Sequence, residues 1–221
     1  MIVTLDGPAG AGKSSTARAL AARLGWCYMD TGAMYRAVAL TALQRSIPLD
    51  DADRLAHLAE SMAIEFRDGC VLVDGQDVST AIRTEEITQA TRPVADAPPV
   101  REAMKRVQRR LAEGLDIVTE GRDQGSVVFP QAALKVFLTA SPAERARRRY
   151  REEQGRGHAA SIDAILTSQT RRDEADRTRP VGAMKPADDA VIVETDGLSP
   201  DDVVDRLVAM IEARRREGSG A

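Results

Sequence analysis

A chain of 221 residues suits one α/β domain with small inserts and is too short for two large independent domains. Aromatic residues make up only 3% while Ala, Val, Leu and Ile abound, which favours an aliphatic core under a parallel sheet over a β-sandwich. The formal net charge of −3 supplies no broad positive field for a nucleic-acid backbone.

The N-terminal Met1-Ile2-Val3-Thr4-Leu5 runs directly into a strand, without a basic leader or an apolar stretch long enough to cross a membrane. Cys27 and Cys70 stand apart, outside any CxxC or Cys/His pattern, so neither a disulfide framework nor a zinc site is indicated. A cytoplasmic protein is expected, acting as a monomer without membrane or nucleic-acid partners.

Ile2 to Leu5 is a β-branched run ending at Asp6, and Gly7-Pro8-Ala9-Gly10-Ala11-Gly12-Lys13-Ser14 follows at once, a complete GxxxxGK[ST] motif. Ala17, Leu20, Ala21 and Leu24 then recur at helical spacing until Gly25. A strand, a phosphate loop and a helix are therefore expected in succession. Glycines let the backbone curl so that successive N–H groups point at phosphate oxygens, and the helix N-terminus adds its positive end. Gly7 to Ser15 are the candidate ATP-binding residues. Lys13 brings a point charge to the β- and γ-phosphates, and the hydroxyl of Ser14 or Ser15 can support Mg²⁺. The loop alone gives the ligand class, since switches, motors, transporters and kinases share it.

Trp26 to Met29 reads as a second strand ending at Asp30, and Thr31-Gly32-Ala33-Met34-Tyr35-Arg36 opens a helix. This element resembles the corresponding one of bacterial cytidylate kinases. The resemblance implies that Thr31 and Arg36 meet the acceptor nucleotide, with the bidentate fork of Arg36 clamping its phosphate.

Between residues 63 and 79 the pattern changes from helical to alternating, with strand candidates at Ala63 to Arg67, Cys70 to Val73 and Gln76 to Val78. They are punctuated by Asp68-Gly69 and Asp74-Gly75, both hairpin turn signals. A small antiparallel insert is expected, and it resembles the monophosphate-binding extension of the same kinases. In the family's order, Arg101 then stands where a further base-contacting arginine is found. At Arg92, within Ala90-Thr91-Arg92-Pro93, the sequence departs from the family, which has a base-contacting serine. Two readings stay open: Thr91 supplies the hydroxyl, or base recognition is altered.

An apolar strand, Ile117-Val118-Thr119, leads to Gly121-Arg122-Asp123 and on to Gly125-Ser126-Val127-Val128-Phe129-Pro130, which resembles the family's GRD segment. By that resemblance Arg122 holds phosphate and Asp123 accepts from the cytosine amino group. The Val136 to Thr139 strand is followed by a helix from Ala143 to Tyr150 carrying Arg145, Arg147, Arg148 and Arg149. A polar stretch from Arg151 to His158 comes next, read as part of a lid at about 148–160 with glycine hinges. Arg172, Asp176 and Arg179 fall at i, i+4 and i+7, one face of a helix. As a charge run this is commonly a solvated face. In the resembled family the first two meet the ribose and the last reaches toward the phosphates. Val191 to Val193 is a last strand. Ser199 caps a helix with Pro200 at its first position and Val203, Val204, Leu207, Val208 and Ile211 as its buried stripe, fraying from Arg214 onward.

The expected fold is a three-layer α/β/α P-loop kinase domain over the whole chain. Its core comprises 1–30, 114–147 and 180–216, and its monophosphate-binding region 31–113. The expected function is transfer of the γ-phosphoryl group of ATP to CMP or dCMP, with Lys13, Arg36, Arg122 and Arg179 as catalytic charges and Mg²⁺ as cofactor. The nearest alternative is a kinase for another small acceptor, such as UMP, AMP, shikimate or gluconate. A guanine-reading Asn-Lys-x-Asp run, as a nucleotide switch requires, is not found.

Overall fold

The computed structural model of the chain describes residues 1–67, 69–155, 157 and 159–218. They divide into two compact units, Met1–Tyr28 with Leu115–Ala221 and Met29–Gly114. The expected Asp68 turn residue, and Arg156 and His158 of the expected lid, lie outside the described residues.

The larger unit is built on β1 (Ile2–Asp6), followed by α1 (Lys13–Leu24) and β2 (Cys27–Asp30), whose last two residues belong to the smaller unit. After the smaller unit come β6 (Ile117–Glu120), β7 (Leu134–Thr139), α6 (Pro142–Gly155), α7 (Ile162–Thr178), β8 (Val191–Glu194) and α8 (Pro200–Gly218). The five-stranded sheet has the order β2-β6-β1-β7-β8. β1 pairs in parallel with β6 and β7, and β7 with β8. Helices cover both faces of this parallel sheet, so the three-layer expectation holds. Placing β1 centrally sets its C-terminal end, where the phosphate loop begins, among the ends of its neighbours, which is where ligands gather in open α/β sheets.

The core of this unit is aliphatic throughout. Val3, Leu5, Val118, Val136, Leu138 and Val193 from the sheet pack with Ala17 and Leu20 of α1 and with Val203, Val204, Leu207 and Ile211 of α8. Each buried Val, Leu or Ile of this set contributes about 1.5–3 kcal/mol by leaving water. The helix ends follow local chemistry. Gly25 closes α1 in the left-handed conformation, φ 67.

Three expectations about helix ends change. α8 runs on to Gly218 instead of fraying from Arg214, because Arg214 pairs with Glu217 three residues on and the Arg215 guanidinium lies over Trp26 at 4.9 Å. The helix read as ending at Tyr150 continues as α6 to Gly155, held by Arg149 bonding both Glu152 and Glu153. Arg179 lies just beyond α7, with ψ 134, since the following Pro180 drives its predecessor out of helical geometry.

The smaller unit contains α2 (Thr31–Gln44), α3 (Ala52–Ser61), β3 (Ile64–Arg67), β4 (Cys70–Val73), β5 (Gln76–Asp77), a 3₁₀ turn at Ala81–Arg83, α4 (Glu85–Asp96) and α5 (Pro98–Ala112). β3, β4 and β5 form the expected antiparallel insert. Asp74 and Gly75 both take positive φ, 50 and 80, the geometry that joins β4 to β5 in a two-residue hairpin. Met34, Leu55, Ile82, Val94, Val100 and Met104 are fully buried. Among the described residues no helix is long and apolar enough to cross a membrane.

Candidate active site

The phosphate loop occupies the turn between β1 and α1. A side chain at Gly7, where φ is 142, would place its Cβ 2.0 Å from the Leu138 carbonyl oxygen, so only glycine lets the chain leave β1 against β7. Three loop carbonyls are fixed by side-chain donors, one from the loop's own Lys13 and two from elsewhere in the unit. Pro8 accepts from Lys13 Nζ at 2.9 Å, Ala9 from Arg145 Nη1 at 2.9 Å and Ala11 from Thr195 Oγ1 at 3.3 Å. No acidic residue occupies the first turn of α1 and no side chain caps it. The helix end therefore keeps its anion-attracting character.

Lys13 is buried, and its environment is unusual for an ammonium. Burial and then the Arg122 charge lower its pKa to about 7, Arg172 adds to the effect, and Glu120 and Asp6 oppose it. Ser14 Oγ donates to Glu120 Oε1 at 2.6 Å, while Ser15 Oγ donates to the Gly12 carbonyl at 2.9 Å. Of the two candidate hydroxyls, Ser14 is thus the one beside a carboxylate. Glu120, at the C-terminal end of β6, was not among the sequence candidates. Its signal was its place at the end of a strand immediately before Gly121.

Asp6 is a second residue that sequence reasoning passed over. Its buried carboxylate accepts from the backbone N–H of Gln124 at 2.8 Å and of Gly125 at 2.7 Å. Burial pushes its pKa up to about 7. The Gly125 and Gln124 hydrogen bonds restrain the rise, Asp123 adds to it, and Lys13 works against it.

Arg122 and Asp123 sit in the loop after β6. Arg122 Nε donates to Asp176 Oδ2 at 2.9 Å and its Nη1 to the Gly121 carbonyl at 3.1 Å. Arg179 Nη2 reaches the other oxygen of the same carboxylate at 2.6 Å. Asp176 is nine-tenths buried by its side chain. Burial would raise its pKa, yet the Arg122 and Arg179 charges outweigh that and hold the carboxyl below its ordinary range, with Arg172 contributing. The structure therefore brings Lys13, Arg122, Asp123, Arg172, Asp176 and Arg179 into the same unit, and charge interactions run from Lys13 through Arg122 to Asp176 and Arg179.

The four arginines between residues 145 and 149 of α6 divide into two pairs. Arg145 is buried against Asp173 at 2.7 Å and also donates to the Ala140 carbonyl, and Arg148 bonds Glu144 and Thr195. Arg147 and Arg149 are exposed and pair with acids of their own helix.

The remaining candidates, Thr31, Arg36 and Arg101, lie in the smaller unit. Thr31 is buried in the first turn of α2, which Asp30 caps by accepting from Ala33 N at 2.9 Å. Arg36 Nη1 donates to Thr88 Oγ1 at 2.7 Å and to the Ile82 carbonyl at 3.3 Å. Arg101 is buried, with Nη1 on the Ala95 carbonyl at 3.0 Å and its guanidinium over the Tyr35 ring at 5.6 Å. Thr91 donates its hydroxyl to the Ile87 carbonyl of its own helix, and Arg92 is exposed beside Asp96 at 3.7 Å. The hydroxyl that meets Arg36 is that of Thr88, one helical turn before Arg92, and no local sequence signal singles Thr88 out.

A parallel sheet whose central strand ends in GxxxxGK[ST], with a buried lysine and an arginine-rich helix on the same unit, defines a P-loop protein of the kinase kind. The family model for cytidylate kinase matches residues 3–213. A cytidylate kinase of Rhodopirellula baltica is 50% identical over 211 residues, covering 96% of this chain and 92% of that one. One from Shewanella loihica is 44% identical over 218 residues, covering 96% and 95%. The chain belongs to the cytidylate kinase family. The solved structure of a gluconokinase from Sinorhizobium meliloti 1021 has a TM-score of 0.50 at 18% identity, covering 99% of this chain and 96% of that one, a likeness of fold alone.

Proposed function

We propose that the protein transfers the γ-phosphoryl group of ATP to CMP or dCMP, giving CDP or dCDP. The observation that carries this reading is the Asp176 carboxylate gripping both Arg122 and Arg179 in the same field of charge as Lys13. That arrangement keeps guanidinium groups oriented to receive phosphate oxygens. Gly7 to Ser15 hold the triphosphate and Lys13 its β- and γ-phosphates. Arg36, Arg122 and Arg179 offset the charge of donor and acceptor, Asp123 accepts from the cytosine amino group, Thr31 and Arg101 assist at the acceptor, and Arg172 with Asp176 meets the ribose. No general base is required, because the acceptor phosphate is ionised at neutral pH.

The Ser14 hydroxyl and the Glu120 carboxylate are hard oxygen donors in contact with each other, a set suited to Mg²⁺. When bound, Mg²⁺ neutralises phosphate charge. The same reading has the protein act in the cytoplasm as a monomer, without nucleic acid or membrane, and takes the segment at about 148–160 as a lid.

A coupled assay with CMP, dCMP, UMP, AMP and shikimate tests the acceptor. Cytidine nucleotides are expected to be turned over with kcat/KM at least 10²-fold above the rest, the discrimination available to a site that pairs a hydrogen-bonding edge. Equal turnover of UMP or shikimate would sink the assignment.

Lys13 also sets a pH dependence. At pH 8 the free protein holds Lys13 mostly neutral, because its pKa is about 7. Triphosphate oxygens favour the ammonium, and they favour protonated Asp6 as well, so the two effects share a sign. ATP binding at pH 8 is expected to take up close to one proton, and the uptake should shrink as pH falls through 7, where the free protein already holds Lys13 and Asp6 increasingly protonated. Titration calorimetry in two buffers of different ionisation enthalpy measures it, and proton release would contradict it.

A further inference from the structure

Residues 124–128 form a single π-helical turn directly after Asp123. The first N–H groups of any helical turn lack partners within it, and an aspartate at the preceding position ordinarily supplies them. Asp123 holds that position and makes no capping bond. The capping is done from the end of β1, where Asp6 Oδ1 accepts from Gln124 N at 2.8 Å and Oδ2 from Gly125 N at 2.7 Å.

Two further features hold the same short stretch. Gly125 lies so close to the sheet that a Cβ there would come within 2.8 Å of Thr4 Oγ1 and 3.2 Å of Lys135 Cβ. The amide reaches Asp6 because residue 125 has no side chain. On the other side, Thr119 Oγ1 donates to Gln124 Oε1 at 3.0 Å. The loop carrying Arg122 and Asp123 is thereby clasped to β1 through Asp6 and to β6 through Thr119.

From this geometry we infer that Asp6 is a positioning residue for the acceptor: by capping residues 124 and 125 it fixes the Arg122–Asp123 loop and releases Asp123 from capping its own turn. The inference rests on the assignment of Arg122 and Asp123 to the acceptor nucleotide. A competing role follows from the fact that Asp6 also immediately precedes Gly7. If Asp6 served only to launch the phosphate loop, its loss would fall on ATP.

Asp6→Asn separates the two. An asparagine keeps the shape, but its amide nitrogen faces a backbone N–H, donor against donor, so one of the two bonds is lost. With the full chain, the KM for CMP is expected to rise tenfold or more while the KM for ATP stays within about twofold. Backbone amide exchange over residues 121–125 should accelerate in the absence of either nucleotide. An ATP KM that rises as much as that of CMP, or unchanged exchange at Gln124 and Gly125, overturns the inference. Gly125→Ala, which leaves Asp6 in place but pushes the amide away, should reproduce the CMP-selective loss. Should neither variant fold, exchange in the unaltered protein still decides: both amides must be protected without ligand, and unprotected amides refute the cap. If Asp123→Ala leaves CMP kinetics intact, the acceptor assignment fails, while the exchange rates report on Asp6 independently.

Discussion

Replacing Lys13 with methionine is expected to lower kcat by about 10²–10³-fold, the usual cost of deleting one preorganised charge at a transferring group, while making the folded protein more stable. The two effects have one origin. Lys13 is buried beside Arg122 and within the field of Arg172, and its pKa is lowered to about 7. In the unfolded chain its pKa is near 10.5, so below pH 7 the folded state carries a full penalty for holding the ammonium. That penalty shrinks as pH rises from 7 and vanishes above about 10.5. Methionine keeps the apolar stem without the charge. It forfeits the Pro8 hydrogen bond, worth roughly 1 kcal/mol, against a relief of several. Asp6 loses a neighbouring cation and compensates by holding its proton more tightly.

The midpoint of thermal unfolding at pH 6 should rise by about 2–4 °C for each kcal/mol gained, and the gain should fade toward pH 10. A variant both inactive and clearly less stable would mean that Lys13 is held mainly by favourable contacts, contrary to its environment. Strain retained at a functional position is the general pattern behind such trade-offs.

How much of this was legible beforehand depends on the range of the interaction. The phosphate loop, the strand before it, the helix after it and the Asp74-Gly75 hairpin are written in adjacent residues, and each formed where its signals stood. The insert strands moved by a residue at most, Ala63 dropping from β3 and Val78 from β5, because strand ends are set by pairing. Arg179 shows a local signal overlooked. The i, i+7 spacing suggested a helical face, but Pro180 next to it was enough to end the helix.

Asp6 and Glu120 were illegible for a different reason. Each is a single carboxylate at a strand end, and its partner is 118 or 119 residues away in one case and 106 in the other. The neighbouring sequence shows only that each stands at a strand end before a glycine, which does not reveal the partner it meets. The α6 arginines illustrate the same limit. Four similar side chains within five positions split into inward-facing braces and exposed pairs according to what α7, the phosphate loop and Thr195, just after β8, present to them.

Asp176→Ala carries the largest consequence on the acceptor side. The carboxylate accepts from Arg122 Nε and Arg179 Nη2 through its two oxygens, and Arg172 precedes it by one helical turn. Removing it releases two guanidinium groups to sample other rotamers and leaves their charges facing one another and Lys13. Truncating one member of a buried, hydrogen-bonded charge pair costs about 2–5 kcal/mol, which corresponds to a fall of about 30-fold to several thousand-fold in kcat/KM for CMP. Asp176→Asn, which retains one acceptor oxygen, should fall between the two. Because Arg122 and Arg179 hold the Asp176 carboxyl below its ordinary range, its contribution to stability is present above about pH 4 and lost as pH falls through the lowered value. The alanine variant should therefore be less stable than the parent at neutral pH and approach it in acid. Steady-state kinetics with CMP varied at saturating ATP, and urea unfolding at pH 7 and pH 3, measure the two effects. An unchanged kcat/KM for CMP would show that the arginines find their places without Asp176. The charged face of α7 would then be a structural brace instead of part of the acceptor site.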